Sequence, residues 1–497
     1  MKPTSVADVC LILEGAYPYV TGGLSTWTHH LIQRHHDLNF KIVSLLPSNF
    51  DPIIKYEIPK NVLSIENIFL QNLPEGETLN PKLRKRLFES LEVPLLNLQH
   101  SPNLDSFSKI IHSLNEYEGK IGRDLLFRSQ ESWQMLVRMY LSTLGEGSFI
   151  NFFWSYWCLL GGFYSVLLYP MAQAKVYHAL CTGFAGLFLA RAKVETGNPC
   201  IVTEHGIYTN ERKIEIASAE WLENSKGMDL NLDVSLGDRD LKDYWSDMFT
   251  GYSKLCYEAA DVIVTLFEGN KEFQIKDGAD LYKLMTIPNG VEIDKFKGIE
   301  RSVDHPKTIA FIGRVVSIKD VKSFIRAVLL VKMKIPDIQA FIMGPTDEEP
   351  DYYQDCLELI EKLHLEDTIR ITGKVDLKEY LGKIDLLVLT SISEAQPLVI
   401  LEAGSIGIPC VATDVGACRE LIFGRSDESP KLGAGGVICK LANPESIANG
   451  IYELLSSESM YKAASEAIKN RVAKYYQIQD QEALYRKLYS ELKDRSL

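Results

Sequence analysis

The chain has 497 residues, of which 46% are hydrophobic, 24% charged and 10% aromatic. These are globular proportions that leave little room for disorder, and the length predicts two or three domains at roughly 150 residues each. A formal charge of −13, from 66 acidic and 53 basic residues, disfavours a nucleic-acid partner, which requires a basic face. The short run Lys82, Arg84, Lys85 and Arg86 reads as a solvated helix face. Nine cysteines, odd in number and without a C-x-x-C, suit reduced buried thiols rather than a disulfide framework or a zinc site. The N-terminal segment enters a strand with no apolar leader before it, so the expected location is cytoplasmic.

In chain order, the first predicted strand is Asp8–Leu13. It runs into a loop with Gly22-Gly23, and a helix is expected from about Ser25. Glycines at such a place let backbone amides approach a phosphate closely at a helix N-terminus. After the strand Phe40–Leu46 the stretch 51–146 is more polar and reads as a helical insertion. Residues 147–174 carry no charge and include Phe149, Phe152, Trp154 and Trp157. That length satisfies a membrane span, but Asn151, Gly161-Gly162 and Pro170 break it. A buried core helix is favoured over a membrane-contacting element.

The strands Lys175–Leu180, Cys200–Glu204 and Asp261–Leu266 follow, then the turn Pro288-Asn-Gly-Val291 and a polar linker at Lys295–Lys307. A second series comprises Thr308–Gly313, Ile338–Gly344, Thr368–Gly373, Asp385–Thr390, Pro409–Thr413 and Gly436–Cys439. Val- and Ile-rich strands alternating with helices predict an α/β fold with two doubly wound parallel sheets. The expected division is 1–300 and 301–474, with a final helix at 475–497 crossing back to the first domain. Gly433-Ala-Gly-Gly436 and Gly145-Glu-Gly147 fail the G-x-G-x-x-G pattern, which counts against a dehydrogenase.

Ser391-Ile-Ser-Glu-Ala-Gln-Pro-Leu-Val-Ile-Leu-Glu-Ala-Gly404 is the most specific segment. It places Glu394 on a strand-to-helix loop and Pro397 as first helical residue. The amides of Leu398 and Val399 are then free to bind phosphate. Glu402 lies within about 12 Å of Glu394 at helical rise, the span from sugar to ribose in a nucleotide-diphosphate sugar. Arg314 and Lys319, after the strand ending in Gly313, are placed to meet one polyanion and to offset the charge of a leaving diphosphate without a metal. His205 ends the strand Cys200–Glu204, where α/β folds present ligand groups.

The Glu394-to-Glu402 spacing resembles the E-x7-E motif of glycosyltransferase family 4, the retaining enzymes of GT-B fold. Arg314, Lys319, Gly22-Gly23, Pro288-Asn-Gly and Gly407-Ile-Pro…Glu420 match that family in order. The resemblance implies two Rossmann-like domains facing a cleft. Arg314 and Lys319 would bind the donor diphosphate, Glu394 and His205 the donor sugar, Glu402 the ribose, and Gly373 and Val375 the nucleobase. Glu14, Glu204, Tyr208, Arg212 and Lys213 would shape the acceptor side. Leu13-Glu-Gly-x-Tyr-Pro-Tyr-Val-x-Gly-Gly and Thr203-Glu-His-Gly-Ile-Tyr resemble the PelF branch. That branch implies a UDP-sugar donor, UDP-glucose first, a growing exopolysaccharide as acceptor and partners in a membrane-embedded Pel complex, which would hold the protein at the membrane's inner face. No cofactor or strict metal requirement is expected, because no Asp-x-Asp stands in a metal-binding context. Ala395 and Gln396 depart from the family's usual glycine and aromatic residue. Front-face and covalent routes both remain open. A rival reading is a non-catalytic nucleotide-sugar-binding subunit of a membrane synthase.

Overall fold

In the first sheet, the computed structural model orders seven strands as β3-β2-β1-β4-β5-β6-β7. They are β1 (Ala7–Glu14), β2 (Phe40–Leu46), β3 (Val62–Phe69), β4 (Ala174–Ala179), β5 (Cys200–Glu204), β6 (Val262–Thr265) and β7 (Leu284–Thr286). All neighbouring strands pair in parallel, and β2 is buried along its whole length, as a sheet covered on both faces requires. The structure describes residues 6–77, 79–144, 147–219, 240–302 and 305–496.

The second sheet comprises β8 (Thr308–Ile312), β9 (Gln339–Met343), β10 (Ile369–Gly373), β11 (Leu386–Leu389), β12 (Cys410–Thr413) and β13 (Gly436–Cys439). Its order is β10-β9-β8-β11-β12-β13, again all parallel. The chain thus has the expected α/β architecture of two Rossmann-like sheets. Each sheet reverses its winding beside its first strand, between β1 and β4 and between β8 and β11. Ligands of doubly wound folds bind outside the strand ends at such switch points.

One compact unit takes Met1–Thr265, Asn270–Thr286 and Tyr485–Leu497; the other takes Leu266–Gly269 and Ile287–Leu484. The chain therefore passes into the second unit at Ile287, ahead of the polar stretch read as a linker. That stretch packs on the second unit. Phe296 is buried, and Arg301 donates to the carbonyls of Gly407 and Ile384, each at 3.2 Å. The helix Ile478–Lys493 ends within the first unit. There Tyr485 and Tyr489 meet Thr203 at 3.0 Å and His178 at 2.7 Å.

Two strands escaped the sequence pattern. β3 lies in the stretch read as a helical insertion, ahead of the helices Pro81–His100, Leu104–Asn115, Arg123–Arg128 and Gln130–Thr143. Both β3 and β7 sit at sheet edges; β3 is half-buried and interrupted by Ser64, Glu66 and Asn67, and β7 is only three residues long, so neither presents a strand-length apolar run.

The uncharged stretch forms the helix Phe149–Leu168. Its Phe152, Tyr156, Leu159 and Phe163 are buried in the core of the first unit. Gly162 allows close approach of Phe184, whose ring would lie 2.7 Å from an added Cβ. Arg191 closes the far end, donating to the carbonyls of Val166 at 2.7 Å and Tyr169 at 2.6 Å, groups that the helix itself leaves unpaired. No helix among the described residues is long and apolar enough to cross a membrane.

Candidate functional site

In the second unit the strand ends hold two cations. Arg314 follows β8 and pairs with Glu348 at 2.5 Å, half exposed. Lys319 ends a short 3-10 turn, Ser317–Lys319, and its ammonium lies 2.5 Å from Glu394 Oε1, with both side chains largely buried. Ser391 donates to the same carboxylate oxygen at 2.6 Å. The predicted cations thus each hold a carboxylate, and Lys319 and Glu394 are direct partners.

The loop after β11 leaves most of its backbone amides unpaired among the described residues. Ile392 N–H donates to the Ile318 carbonyl at 2.9 Å. From Ser393 to Val399 no backbone amide has an acceptor among the described residues. Pro397 has no N–H and caps the helix Leu398–Ser405 rather than opening it. Unpaired amides leading into a helix N-terminus make a concavity for an anion. From behind, Ala417 N–H donates to the Ala395 carbonyl at 2.7 Å. Gly416, at φ +50°, lies so close that an added Cβ would be 2.3 Å from the carbonyl oxygens of Glu394 and Ala395.

Glu402, on that helix, is largely buried, and burial raises its pKa above the usual carboxylate value although the charge of Lys295 opposes the shift. Its carboxylate has no hydrogen-bond partner among the described residues, so it has acceptor capacity for a ligand's hydroxyls. Gly373 ends β10 at φ +68°, and an added Cβ would meet nothing within 4 Å. The Gly373 carbonyl accepts from Gly344 N–H at 2.9 Å. Val375, two residues on, packs half-buried on the core beneath.

The first unit contributes a separate set. The helix Gly23–Arg34 begins two residues earlier than expected, with Gly22 as its N-cap. An added Cβ at Gly22 or Gly23 would meet no atom within 4 Å, so the loop is open. Glu14, at the end of β1, accepts from Phe184 N–H at 3.0 Å, the Tyr208 hydroxyl at 2.8 Å and Arg212 at 3.1 Å. The Arg212 guanidinium also lies 4.9 Å from the Tyr208 ring centroid, a cation–π contact. These three residues form one cluster.

His205 stands at the end of β5, edge-on to Trp27 with ring centroids 4.7 Å apart. Its Nε2 is buried without a partner among the described residues, and burial pushes its pKa down to about 4. At neutral pH the ring is therefore an uncharged hydrogen-bonding group. Glu204, beside it, is 1% exposed. It accepts from Tyr257 at 2.5 Å, Gln274 at 2.8 Å, Thr182 at 3.3 Å and Tyr208 N–H at 3.4 Å. Burial pushes its pKa up to about 7, against the hydrogen bonds, Tyr257's foremost, that favour the anion. Among the described residues no group of three or more His, Cys, Asp or Glu is placed to hold a metal ion.

Gln396, whose polar side chain the sequence pattern does not connect to any partner, lies on the same loop as Glu394. It is 5% exposed, and its Oε1 accepts from Asn289 N–H at 2.6 Å. Its signal was the replacement of a glycine or aromatic residue by a polar side chain.

Residues 7–281 match the family described as "Domain of unknown function (DUF3492)". The chain belongs to that family. Beyond the DUF3492 region, residues 292–471 match "Glycosyl transferases group 1", so the second unit is a group 1 glycosyltransferase domain. Among curated relatives, N-acetyl-alpha-D-glucosaminyl L-malate synthase of Bacillus anthracis is 26% identical over 199 residues, 40% of this chain and 48% of that protein. An Escherichia coli UDP-Gal:alpha-D-GlcNAc-diphosphoundecaprenol alpha-1,3-galactosyltransferase is 24% identical over 335 residues, covering 63% of this chain and 75% of its own length. The match thus spans about half of the first of these relatives. Sucrose-phosphate synthase from Thermosynechococcus elongatus superposes with TM-score 0.58 at 15% identity, covering 98% of this chain and 100% of that one. HepE of Anabaena in complex with UDP gives TM-score 0.59 at 13% identity, with coverage of 97% and 99%. The fold is therefore GT-B.

Proposed function

We propose that this DUF3492 member is a retaining glycosyltransferase that moves a hexosyl unit from a UDP-sugar, UDP-glucose first, onto a growing exopolysaccharide of the Pel type. The observation that carries the reading is the Lys319–Glu394 pair beside the run of unpaired amides from Ser393 to Val399. The sugar-nucleotide chemistry follows from what each group has to offer. The amides of Leu398 and Val399, with Arg314 and Lys319, receive the diphosphate. As the bond to the sugar breaks, negative charge grows on the leaving phosphate, and fixed cations and amide dipoles lower the barrier without a metal. Glu394, released from Lys319, accepts from the donor sugar's hydroxyls. Glu402 accepts from the ribose, with Gly373 and Val375 beside the base. Neutral His205 offers its buried Nε2 to the sugar, and the Glu14–Tyr208–Arg212 cluster borders the acceptor.

Similarity to HepE of Anabaena, a protein solved with UDP-glucose, supports the choice of donor. Placement beside a membrane-embedded Pel complex belongs to the same proposal. A thermal-shift panel of UDP, GDP and ADP sugars tests it, because a ligand stabilises in proportion to the logarithm of its concentration over its dissociation constant. UDP-glucose is expected to give the largest shift. A larger shift with a GDP or ADP sugar would overturn the donor assignment.

A further inference from the structure

We propose that Gln396 is a positioning residue that sets the Glu394–Pro397 loop against the Pro288–Val291 turn, so that its acceptor oxygen determines how tightly the sugar half of the donor is held. The inference rests on the reading of Glu394 as the sugar contact. Apart from the bonds of Lys319 and Ser391 to the Glu394 side chain, the loop is tied on two sides among the described residues. Behind it stand Gly416 and the bond from Ala417 N–H. On the other side the bond from Asn289 N–H to Gln396 Oε1, at 2.6 Å, is made between two residues that are each 5% exposed. No backbone amide from Ser393 to Val399 adds a further tie among the described residues.

The turn does not depend on Gln396 for its place. Gly290 N–H donates to Gln481 at 3.0 Å, Val291 N–H donates to the Tyr476 carbonyl at 2.8 Å, and Ile478 N–H returns to the Val291 carbonyl at 3.2 Å. An added Cβ at Gly290 would lie 2.5 Å from Ile478 Cα. The turn is therefore a fixed post, and Gln396 fastens the loop to it. Without that oxygen, a buried amide is left unpaired and the loop gains freedom where Glu394 must be placed to within a fraction of an ångström. Gln396 Nε2 and Asn289 Oδ1 are both buried without partners among the described residues, so the junction keeps a donor and an acceptor uncommitted. Glu402 lies deeper on the following helix, whose Ile400, Leu401 and Ala403 are buried in the core, so the ribose contact depends less on the loop than the sugar contact does.

The test measures dissociation constants of UDP-glucose and of UDP by calorimetry for the full chain and for Gln396→Met, which keeps the volume and removes the acceptor. UDP-glucose binding is expected to weaken about tenfold, the size of one lost hydrogen bond, while UDP binding stays within about twofold. Gln396→Ala, which leaves room for a water on Asn289 N–H, is expected to weaken it by less. Equal loss for both ligands, no loss for either, or failure of both variants to fold overturns the inference. If the wild-type chain binds UDP but not UDP-glucose, or binds neither, the donor-site reading itself fails first.

Discussion

Glu204 holds a buried carboxyl group whose charge the fold disfavours, which gives stability a predictable pH dependence. Its pKa stands at about 7 against an ordinary 4.5, a difference worth about 3 kcal/mol at 1.36 kcal/mol per unit. Because the folded value is raised, the protonated form stabilises the fold. That contribution is complete below pH 4.5 and is lost as pH rises through 7. Glu204→Gln imitates the protonated state at every pH. The site accommodates it, because the Tyr257 hydroxyl rotates and Gln274, whose Oε1 has no partner among the described residues, flips to receive the new amide. Urea unfolding of both proteins between pH 5 and pH 8 is the assay. The advantage of Glu204→Gln is expected to grow by roughly 2–3 kcal/mol across that range. A difference that stays constant with pH would refute the reasoning. Glu204→Ala, which strands four donors, is expected to destabilise at every pH.

Separate substitutions probe the rest of the molecule. Glu394→Ala is expected to weaken UDP-glucose binding about tenfold and UDP binding less, whereas Lys319→Ala weakens both; calorimetry distinguishes them, and the reverse order would reject the assigned roles. Glu428 and Arg471 form a fully buried, two-pronged ion pair at 2.6 and 3.0 Å. Glu428→Ala leaves an uncompensated buried charge and is expected to cost about 3–5 kcal/mol in denaturant unfolding. Gly416→Ala, at φ +50° and pressed on the Glu394–Ala395 backbone, is expected to raise the KM for the proposed donor with little change in the KM for the acceptor. Chelation with EDTA is expected to leave the transfer rate unchanged, and loss of turnover restored by a divalent cation would contradict the assignment of Arg314 and Lys319.

Much of this architecture was legible in the sequence for a physical reason. Strands buried on both faces are mostly apolar, so Phe40–Leu46, interrupted only by Lys41 and Ser44, and Cys200–Glu204, apolar up to Thr203, were readable with their bounds. β3 and β7 sit at the edges, where Ser64, Glu66 and Asn67 are tolerated, and the pattern vanishes. The uncharged helix Phe149–Leu168 was readable as core from its broken interior, but the Arg191 cap that closes it comes from another helix. At the site, Pro397 marked the start of the helix Leu398–Ser405, whose first amides are unpaired among the described residues. The Lys319–Glu394 pair, the Glu14–Tyr208–Arg212 cluster and the Gln396–Asn289 bond join residues far apart in sequence. No local spacing carries such information.

Arg314, Lys319 and Glu394 are proposed to carry glycosyl transfer from a UDP-sugar, and one experiment bears on that proposal above the others. The proposal is tested most directly by UDP release from UDP-glucose in the presence of a Pel-type polysaccharide acceptor. The wild-type chain is expected to release UDP in step with incorporation of sugar into the acceptor, and Arg314→Ala combined with Glu394→Ala to reduce release to background. UDP release by the wild type that never exceeds that double-variant background would contradict the account and leave a protein that binds nucleotide sugars without transferring them.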